Sequence, residues 1–353
     1  MGCEIEIQTS SHKYCVEILP EAITDLLEKV FVIVDERFRP WVSSITESFV
    51  SIEANESNKS LAVVEQICAA MASSNVNKDT KVWGIGGGVI QDLTTMATSI
   101  YKRGVGWVYV PTTLAGMLDS CVGGKSSINI GQTKNLVGNI YPPARVLIDS
   151  SYVSSLSVER LVDGLSEGVK ITFARGDDSF NEFLDNPASI EPKDGESLRE
   201  LIATTLRGKQ WFVEVDEKDQ KERRLLNFGH TFGHALEGAS NFSISHGVAV
   251  AIGMLAAINF SQTQEVARVR RLTEYCQQIL NPVSYGLSQS AEKLDWSEFQ
   301  RLMVKDKKNS DGQIHLITPD TLGNLVESKF ETSTGIFSRI EESTKTAFEM
   351  VLS

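Results

Sequence analysis

Three kinds of feature are missing from this chain, and each absence excludes a class of protein. No apolar run approaches the roughly 18–20 residues that a helix needs to cross a bilayer, so no membrane-spanning segment is expected. The five cysteines are widely spaced without a Cys-x-x-Cys pair, which is typical of a reducing compartment. Acidic residues outnumber basic ones, 46 to 34, and the net charge of −12 argues against a broad nucleic-acid surface.

The first residues also lack the basic and apolar regions of a secretory signal. We therefore expect a cytoplasmic protein with neither a membrane nor a nucleic-acid partner. Against an acidic background, lysines and arginines that converge on one pocket would stand out.

The 353 residues suffice for two domains, and the pattern changes near residue 155. Before it, predicted strands at 30–34, 81–85, 107–110 and 145–149 alternate with helical patterns, which indicates a parallel, doubly wound sheet. Beyond it, long helical patterns dominate. We predict an α/β + α fold, with a Rossmann-like domain over residues 1–155 and a mostly helical domain over 156–353.

Histidines are scarce but clustered. His230 and His234 lie four residues apart in a helix-compatible stretch, and His246 follows, so three of the five histidines lie close in sequence. Glu167, in another probable helix, adds a carboxylate. Two histidines and a glutamate with open positions form a catalytic, zinc-type donor set. From the residues alone, satisfied histidines and a simple Glu167–Lys170 ion pair remain alternatives.

Two glycine-rich segments indicate phosphate binding. Gly86-Gly87-Gly88 follows a predicted strand and opens a helix, where free N–H groups can bind a pyrophosphate, although a tight turn explains the glycines equally well. Gly123-Gly124-Lys125-Ser126 lacks the upstream glycine of a nucleotide triphosphate loop, because that position is Leu118. Lys125, with Lys134 nearby, can still bind a substrate phosphate.

Together these segments resemble the 3-dehydroquinate synthase family of sugar-phosphate cyclases over about residues 35–308. The motifs that carry the resemblance are Glu56-x-x-Lys59, Gly86-Gly87-Gly88-Val89-Ile90-x-Asp92, Tyr101-x-Arg103-Gly104, Pro111-Thr112-Thr113-Leu114, Asp119-Ser120-x-Val122-Gly123-Gly124-Lys125, Lys134-Asn135, Gly164-Leu165-x-Glu167-x-x-Lys170, Leu225-Leu226-Asn227-Phe228-Gly229-His230-Thr231-Phe232-Gly233-His234, His246-Gly247 and Asp306-Lys307-Lys308.

The resemblance implies roles for these residues. The metal, zinc or else cobalt or another divalent ion, would be bound by Glu167, His230 and His246 in the second domain, with His234 as an active-site histidine that is not a ligand. NAD would be held by Asp35, Glu56, Lys59, Gly86, Gly87, Gly88, Asp92, Thr112 and Thr113. The substrate pocket would contain Asp119, Lys125, Lys134, Asn135, Lys170, Asn227 and Lys307. Lys209 and Arg223 would bind a substrate carboxylate, and Arg103 would reach across a homodimer interface.

The activity implied is a carbon–oxygen lyase of the shikimate pathway. It would convert 3-deoxy-D-arabino-heptulosonate 7-phosphate into 3-dehydroquinate and phosphate, with NAD regenerated in each cycle. The chain departs from the family pattern at four positions. Val248 replaces a glutamate beside a ligand, Ile130-Gly131 replaces His-Pro, Gln91 replaces a frequent glycine and Gly168 replaces a branched residue.

These departures leave other functions open. A related cyclase could use another sugar phosphate, such as sedoheptulose 7-phosphate. A substrate without a carboxylate would not need Arg223 and Lys209 as a cationic pair, so keeping both favours an acid substrate. This argument fails if Arg223 is an ordinary surface residue. A metal-dependent alcohol dehydrogenase would share the architecture but would need no lysine-rich phosphate pocket. A non-catalytic relative would have no reason to keep all three ligands.

Overall fold

The computed structural model describes residues 3–23, 30–131, 133–305 and 312–352. Its strands are β1 (Cys3–Gln8), β2 (Lys13–Ile18), β3 (Val30–Asp35), β4 (Phe49–Ile52), β5 (Lys81–Gly86), β6 (Trp107–Pro111), β7 (Lys125–Ile130), β8 (Thr133–Ile140), β9 (Arg145–Ile148), β10 (Gln313–Pro319) and β11 (Leu325–Glu331). Its α-helices are α1 (Arg39–Ile45), α2 (Leu61–Ser73), α3 (Gly88–Ile100), α4 (Val158–Arg175), α5 (Asp177–Asp185), α6 (Glu196–Val215), α7 (His230–Ala239), α8 (His246–Ser261), α9 (Ala267–Leu280), α10 (Ser284–Glu292), α11 (Trp296–Lys305) and α12 (Thr334–Leu352).

The chain forms two compact units. The first contains Met1–Leu156 and Lys193–Glu217, and the second contains Ser157–Pro192 and Lys218–Ser353. The two-segment division expected from the sequence placed residues 193–217 in the second domain. They belong to the first because α6 packs on β1, where Gln210 Nε2 donates to the carbonyl of Glu6 at 2.8 Å.

A seven-stranded sheet in the order β1-β2-β9-β6-β5-β3-β4 forms the first unit. All its neighbouring pairs are parallel except β1 with β2, which form an antiparallel N-terminal hairpin. On one face, Val32, Trp83 and Val108 pack together with Val42 of α1. On the other, Gly84 lies against Thr94 of α3, so helices cover both faces and the doubly wound arrangement is confirmed.

The second unit is built around α8, which is buried along almost its whole length. Its sequence is apolar on every side, as expected of a helix enclosed by other elements. The elements packed against it are α4, α7, α9, α12 and β10. The antiparallel hairpin β10–β11, which the sequence did not indicate, belongs to this unit. No helix in the described ranges is long and apolar enough to cross a membrane.

Helices α7 and α8 approach so closely that no side chain fits between them at Gly253. A Cβ there would lie 2.1 Å from the carbonyl oxygen of Gly229, the residue that precedes α7. The oxygen belongs to the backbone and cannot rotate away, so this contact fixes where the two helices meet.

We expect Gly253→Ala to lower the free energy of unfolding by about 1–3 kcal/mol, because the added methyl must separate the helices. Gly286→Ala in α10 is the matched control. Its Cβ would meet nothing within 4 Å, and alanine favours a helix by up to about 1 kcal/mol. Urea unfolding of both variants measures the difference. Equal stability of the two variants would contradict the close contact.

Candidate active site

Glu167 is a buried carboxylate in the middle of α4, with 4% of its side chain exposed. Lys170, one turn later and equally buried, donates to its Oε2. Burial raises the pKa of a carboxyl group, but the Lys170 ammonium and the hydrogen bond from His246 overcome this effect and hold the pKa of Glu167 well below its usual range. Glu167 is therefore an anion inside the protein.

Two histidines point at the same oxygen of that carboxylate. His230 is the first residue of α7 and His246 the first of α8, and their Nε2 atoms lie 3.6 and 3.2 Å from Glu167 Oε1. One donor atom from each of the three residues falls within 4.8 Å of the others. An anionic carboxylate and two imidazoles converging in this way fit a divalent metal ion with open positions for substrate.

The other ring nitrogen of His246 is also held. Nδ1 lies 2.9 Å from Glu237 Oε2, and the two carboxylates of Glu167 and Glu237 raise the pKa of His246 against the opposing effect of desolvation. A carboxylate on the far nitrogen of a metal-ligating histidine orients the ring and makes it a better ligand. Glu237 therefore orients His246 towards Glu167.

His234 offers a second possible donor set. It lies one turn after His230 on α7, with its ring 5.8 Å from that of His246, and it converges with Glu237 and His246. The two sets share His246 and differ in whether His230 or His234 contributes a nitrogen. The structure therefore brings His230, His234 and His246 together. Removing His230 or His234 singly would distinguish the two donor sets.

Arg223 and Asn227 lie in the 3-10 segment Glu222–Asn227, which runs into α7. Arg223 is only 4% exposed, so it is not an ordinary surface residue. The Asn227 side-chain amide donates to the carbonyl of Arg224 at 2.9 Å. Of the predicted pocket residues, these two and Lys170 belong to the second unit with the histidines, whereas Lys307 lies outside the described residues.

The glycine turn of the first unit joins β5 to α3. A Cβ on Gly87 would lie 2.9 Å from Thr113, whereas one on Gly88 would meet nothing within 4 Å. The Thr112 N–H donates to the carbonyl of Gly86 at 3.1 Å, so the neighbouring strand β6 ends beside the turn. The open space beside Gly88, at the start of a helix, suits a phosphate group.

Three predicted NAD residues form a network with β7. Lys59 Nζ lies 2.7 Å from Asp92 Oδ2, and Asp92 Oδ1 accepts the Ser127 N–H at 3.1 Å. Burial raises the pKa of Asp92, and Lys59 opposes that rise. Glu56 joins the network through Asn129, whose amide donates to Glu56 Oε1 at 2.8 Å.

Asp35, the remaining NAD residue, ends β3 and accepts the N–H of Arg37 at 3.1 Å. This is a helix-capping contact through one carboxylate oxygen, Oδ1. NAD binding by Asp35 stays a prediction.

The predicted phosphate residues lie on the antiparallel hairpin of β7 and β8, which sequence patterns did not indicate. Lys125 begins β7, and Lys134 and Asn135 lie at the start of β8. Asn135 donates its N–H to Asn129 Oδ1 at 2.8 Å. An open pocket of about 380 Å³ beside the hairpin is lined by Lys125, Ser126, Ser127, Gly138, Asn139 and Ile140.

Asp119 and Lys209 are an ion pair in the first unit. Asp119 lies in the π-helical segment Gly116–Ser120, and its Oδ1 is 2.6 Å from Lys209 Nζ of α6. This contact explains why α6 belongs with the sheet. Arg103 is exposed and ends the short helix Tyr101–Arg103.

Two side chains next to the histidines, Glu237 and Asp163, were not predicted. Glu237 lies three residues after His234, on the same face of α7, and that spacing could have indicated it. Asp163, one turn before Glu167, accepts the N–H of Gly247 beside His246. Gln91, noted only as a departure, exchanges two hydrogen bonds with Ser120 and so supports the segment that carries Asp119.

Comparison with known proteins assigns the whole central part of the chain to one family. Residues 49–163 match the model of the 3-dehydroquinate synthase N-terminal domain, and residues 164–309 match that of the C-terminal domain. A 3-dehydroquinate synthase of Leuconostoc mesenteroides subsp. mesenteroides is 36% identical over 277 residues, which cover 78% of this chain and 77% of that protein.

Solved structures share the fold at lower identity. A 2-epi-5-epi-valiolone synthase of Streptomyces hygroscopicus subsp. jinggangensis, solved with NAD⁺ and Zn²⁺ bound, has a TM-score of 0.79 at 23% identity, over 95% of this chain and 97% of that one. A 2-deoxy-scyllo-inosose synthase, solved with carbaglucose-6-phosphate, NAD⁺ and Co²⁺, has a TM-score of 0.78 at 20% identity, over 98% and 99%.

The two donor sets are distinguished by removing one histidine at a time. If the metal lies between Glu167, His230 and His246, we expect His230→Ala to weaken zinc binding by at least about 100-fold, because a ligand is lost, while His234→Ala binds zinc almost as wild type. Zinc per chain, measured by mass spectrometry after dialysis against a chelator series, gives both affinities. The opposite ranking would place the metal between His234, Glu237 and His246.

Proposed function

Because this chain belongs to the 3-dehydroquinate synthase family, we propose that it converts 3-deoxy-D-arabino-heptulosonate 7-phosphate into 3-dehydroquinate and phosphate. The observation that carries the proposal is the convergence of Glu167, His230 and His246 on one point, in a unit that also buries Arg223. The reaction eliminates phosphate and closes a carbocycle, so the protein acts as a carbon–oxygen lyase.

Glu167, His230 and His246 hold a divalent metal, zinc or cobalt, and the glycine turn with its neighbours holds NAD. When bound, NAD supplies reversible hydride transfer and the metal supplies a Lewis acid for a substrate oxygen. The chain's own residues provide the rest. Lys170 keeps Glu167 ionised, Glu237 orients His246, and His234 offers a titratable nitrogen beside the ligands.

Recognition of an acid substrate is assigned to a buried cation. Arg223 is 4% exposed and belongs to the unit that contains the three histidines. A guanidinium can bind a carboxylate through two parallel hydrogen bonds. We assign the substrate carboxylate to Arg223, and this choice favours the keto acid over cyclase substrates that lack a carboxylate.

Recognition of the phosphate is assigned to the hairpin of β7 and β8. Lys125, Lys134 and Asn135 bring two cations and an amide to one short stretch of the first unit. Charge-assisted hydrogen bonds from lysines suit a phosphate that must be held and then released. An alcohol dehydrogenase acting on a small neutral alcohol would have no use for this group.

NAD binding is assigned to the segments that follow β3, β4, β5 and β6. The space beside Gly88 admits the pyrophosphate, Thr112 and Thr113 flank the turn, and the Lys59–Asp92 network lies beside α3. Ligands bind at the carboxyl ends of the strands in open α/β sheets, which is where these residues lie.

The assembly and the location of the protein are also proposals. Arg103 is exposed and has a left-handed backbone with φ 62°, and we assign it to the partner's active site in a homodimer. All five cysteines are free, as in proteins of a reducing cytoplasm. A place in the shikimate pathway follows from the substrate.

A phosphate-release assay tests the function. The purified protein, loaded with zinc and NAD, should release phosphate from the seven-carbon keto-acid phosphate without accumulating NADH. Sedoheptulose 7-phosphate and glucose 6-phosphate serve as comparison substrates. Faster release from sedoheptulose 7-phosphate would favour the related cyclase, and stoichiometric NADH from an alcohol would favour a dehydrogenase.

Arg223→Ala tests the carboxylate assignment. Loss of a charge-assisted pair costs about 1.5–3 kcal/mol, so we expect KM for the keto acid to rise about 10- to 100-fold with a smaller change in kcat. Arg223→Lys keeps the charge without the two parallel hydrogen bonds, so its KM should lie between those of wild type and Arg223→Ala. An unchanged KM in Arg223→Ala would show that the carboxylate is bound elsewhere.

A further inference from the structure

Helix α8 begins without a cap of its own. Ser245 occupies the N-cap position, but its side chain makes no hydrogen bond to the first turn of the helix. Three residues later, where a glutamate would complete a capping box, the chain has the buried Val248. The N–H groups at the start of α8 therefore need an acceptor from another element.

Asp163 of α4 is that acceptor. Its Oδ1 accepts the N–H of Gly247 at 2.8 Å and the hydroxyl of Ser245 at 2.7 Å. The side chain is 6% exposed, and its negative charge is favourable beside the positive end of the α8 dipole. A carboxylate of one helix thus caps another.

The two helices also touch through their backbones at this point. A Cβ on Gly247 would lie 2.2 Å from the Cα of Asp163. Glycine at position 247 therefore lets α8 start directly against α4. The cap and the close approach fix the same crossing, so the start of α8 cannot shift along α4 without breaking both.

This crossing lies beside two proposed metal ligands. Gly247 follows His246 in sequence, and Asp163 precedes Glu167 by one helical turn, on the same face of α4. Across the crossing, His246 Nε2 lies 3.2 Å from Glu167 Oε1. A change in where α8 starts would therefore change the separation of those two atoms.

We propose that Asp163 is a positioning residue of the metal centre, which holds His246 at ligand distance from Glu167 by capping α8 from α4. The proposal rests on the ligand assignment made above. Asp163 itself lies too far along the helix to be counted in either donor set. Its effect is on the preorganisation of the site, and it should appear as metal affinity.

The test is a titration of the metal-free protein with Co²⁺, followed by the visible absorption of the bound ion. We expect Asp163→Ala to raise the dissociation constant about 10- to 100-fold. Asp163→Asn, whose side-chain oxygen can still accept from Gly247 and Ser245, should stay within about threefold of wild type.

Asp295→Ala is the matched control for a lost cap. Asp295 Oδ1 accepts the N–H groups of Ser297 and Glu298, both at 3.0 Å, at the start of α11, which carries no proposed ligand. The Asp295→Ala variant should lower the melting temperature of the metal-free protein, as Asp163→Ala does, but its Co²⁺ affinity should equal that of wild type. Equal Co²⁺ affinity in the two alanine variants would overturn the proposal.

A double variant separates capping from positioning. Asp163→Ala with Val248→Glu supplies a capping box from within α8 but no link to α4. We expect it to regain melting temperature without regaining Co²⁺ affinity, whereas recovery of both would overturn the proposal. If Asp163→Ala does not fold, the comparison of Asp163→Asn with wild type decides, and a loss of affinity beyond tenfold in Asp163→Asn counts against the proposal.

Failure of the metal-ligand assignment can be distinguished from failure of the positioning role of Asp163. Wild-type protein that binds no Co²⁺, or a His230→Ala variant that binds it as tightly as wild type, would remove the metal site itself. Tight wild-type binding that is lost in His230→Ala and unaffected by Asp163→Ala would remove only the positioning role.

Discussion

The buried negative charge of Glu167 is the constraint around which the second unit is arranged. An uncompensated carboxylate in the interior costs several kcal/mol, so it persists only where positive groups and hydrogen-bond donors surround it. Lys170 donates a hydrogen bond to one carboxylate oxygen, and the rings of His230 and His246 converge on the other. The apolar helix α8 fixes His246 at its first residue, because a helix that is buried on all sides has little freedom to move.

Four strands of the large sheet, β3, β5, β6 and β9, could be predicted because buried parallel strands are largely apolar. The runs at 30–34 and 81–85 became β3 and β5 for that reason. The hairpin of β7 and β8 could not be predicted this way, since β8 is exposed along most of its length and shows no alternation of buried and exposed positions. Helix α6 lies in the part of the chain that was predicted to be mostly helical, but only tertiary contacts such as that of Lys209 with Asp119 decide which unit it joins.

The candidate site was predictable where its residues share a helix and unpredictable where they meet in space. His230 and His234 are marked by a four-residue spacing, and the same spacing rule extends to Glu237. Asp163 carries no such mark, because its partner Gly247 lies in another helix. The sequence shows only that Val248 replaces a carboxylate. The structure shows a carboxylate reaching the same helix end from α4.

Two of the four departures from the family pattern, Gln91 and Val248, thus concern how the active-site segments are held. Gln91 replaces a glycine and uses its amide to bind Ser120, beside Asp119. Val248 keeps the first turn of α8 apolar while Asp163 caps it. None of the residues proposed to bind substrate is among the four departures, and Arg223 is buried in the unit that contains the three histidines. Since specificity depends on the groups that contact the substrate, the retention of these residues favours the same reaction on the same substrate class over a change to a neutral sugar phosphate.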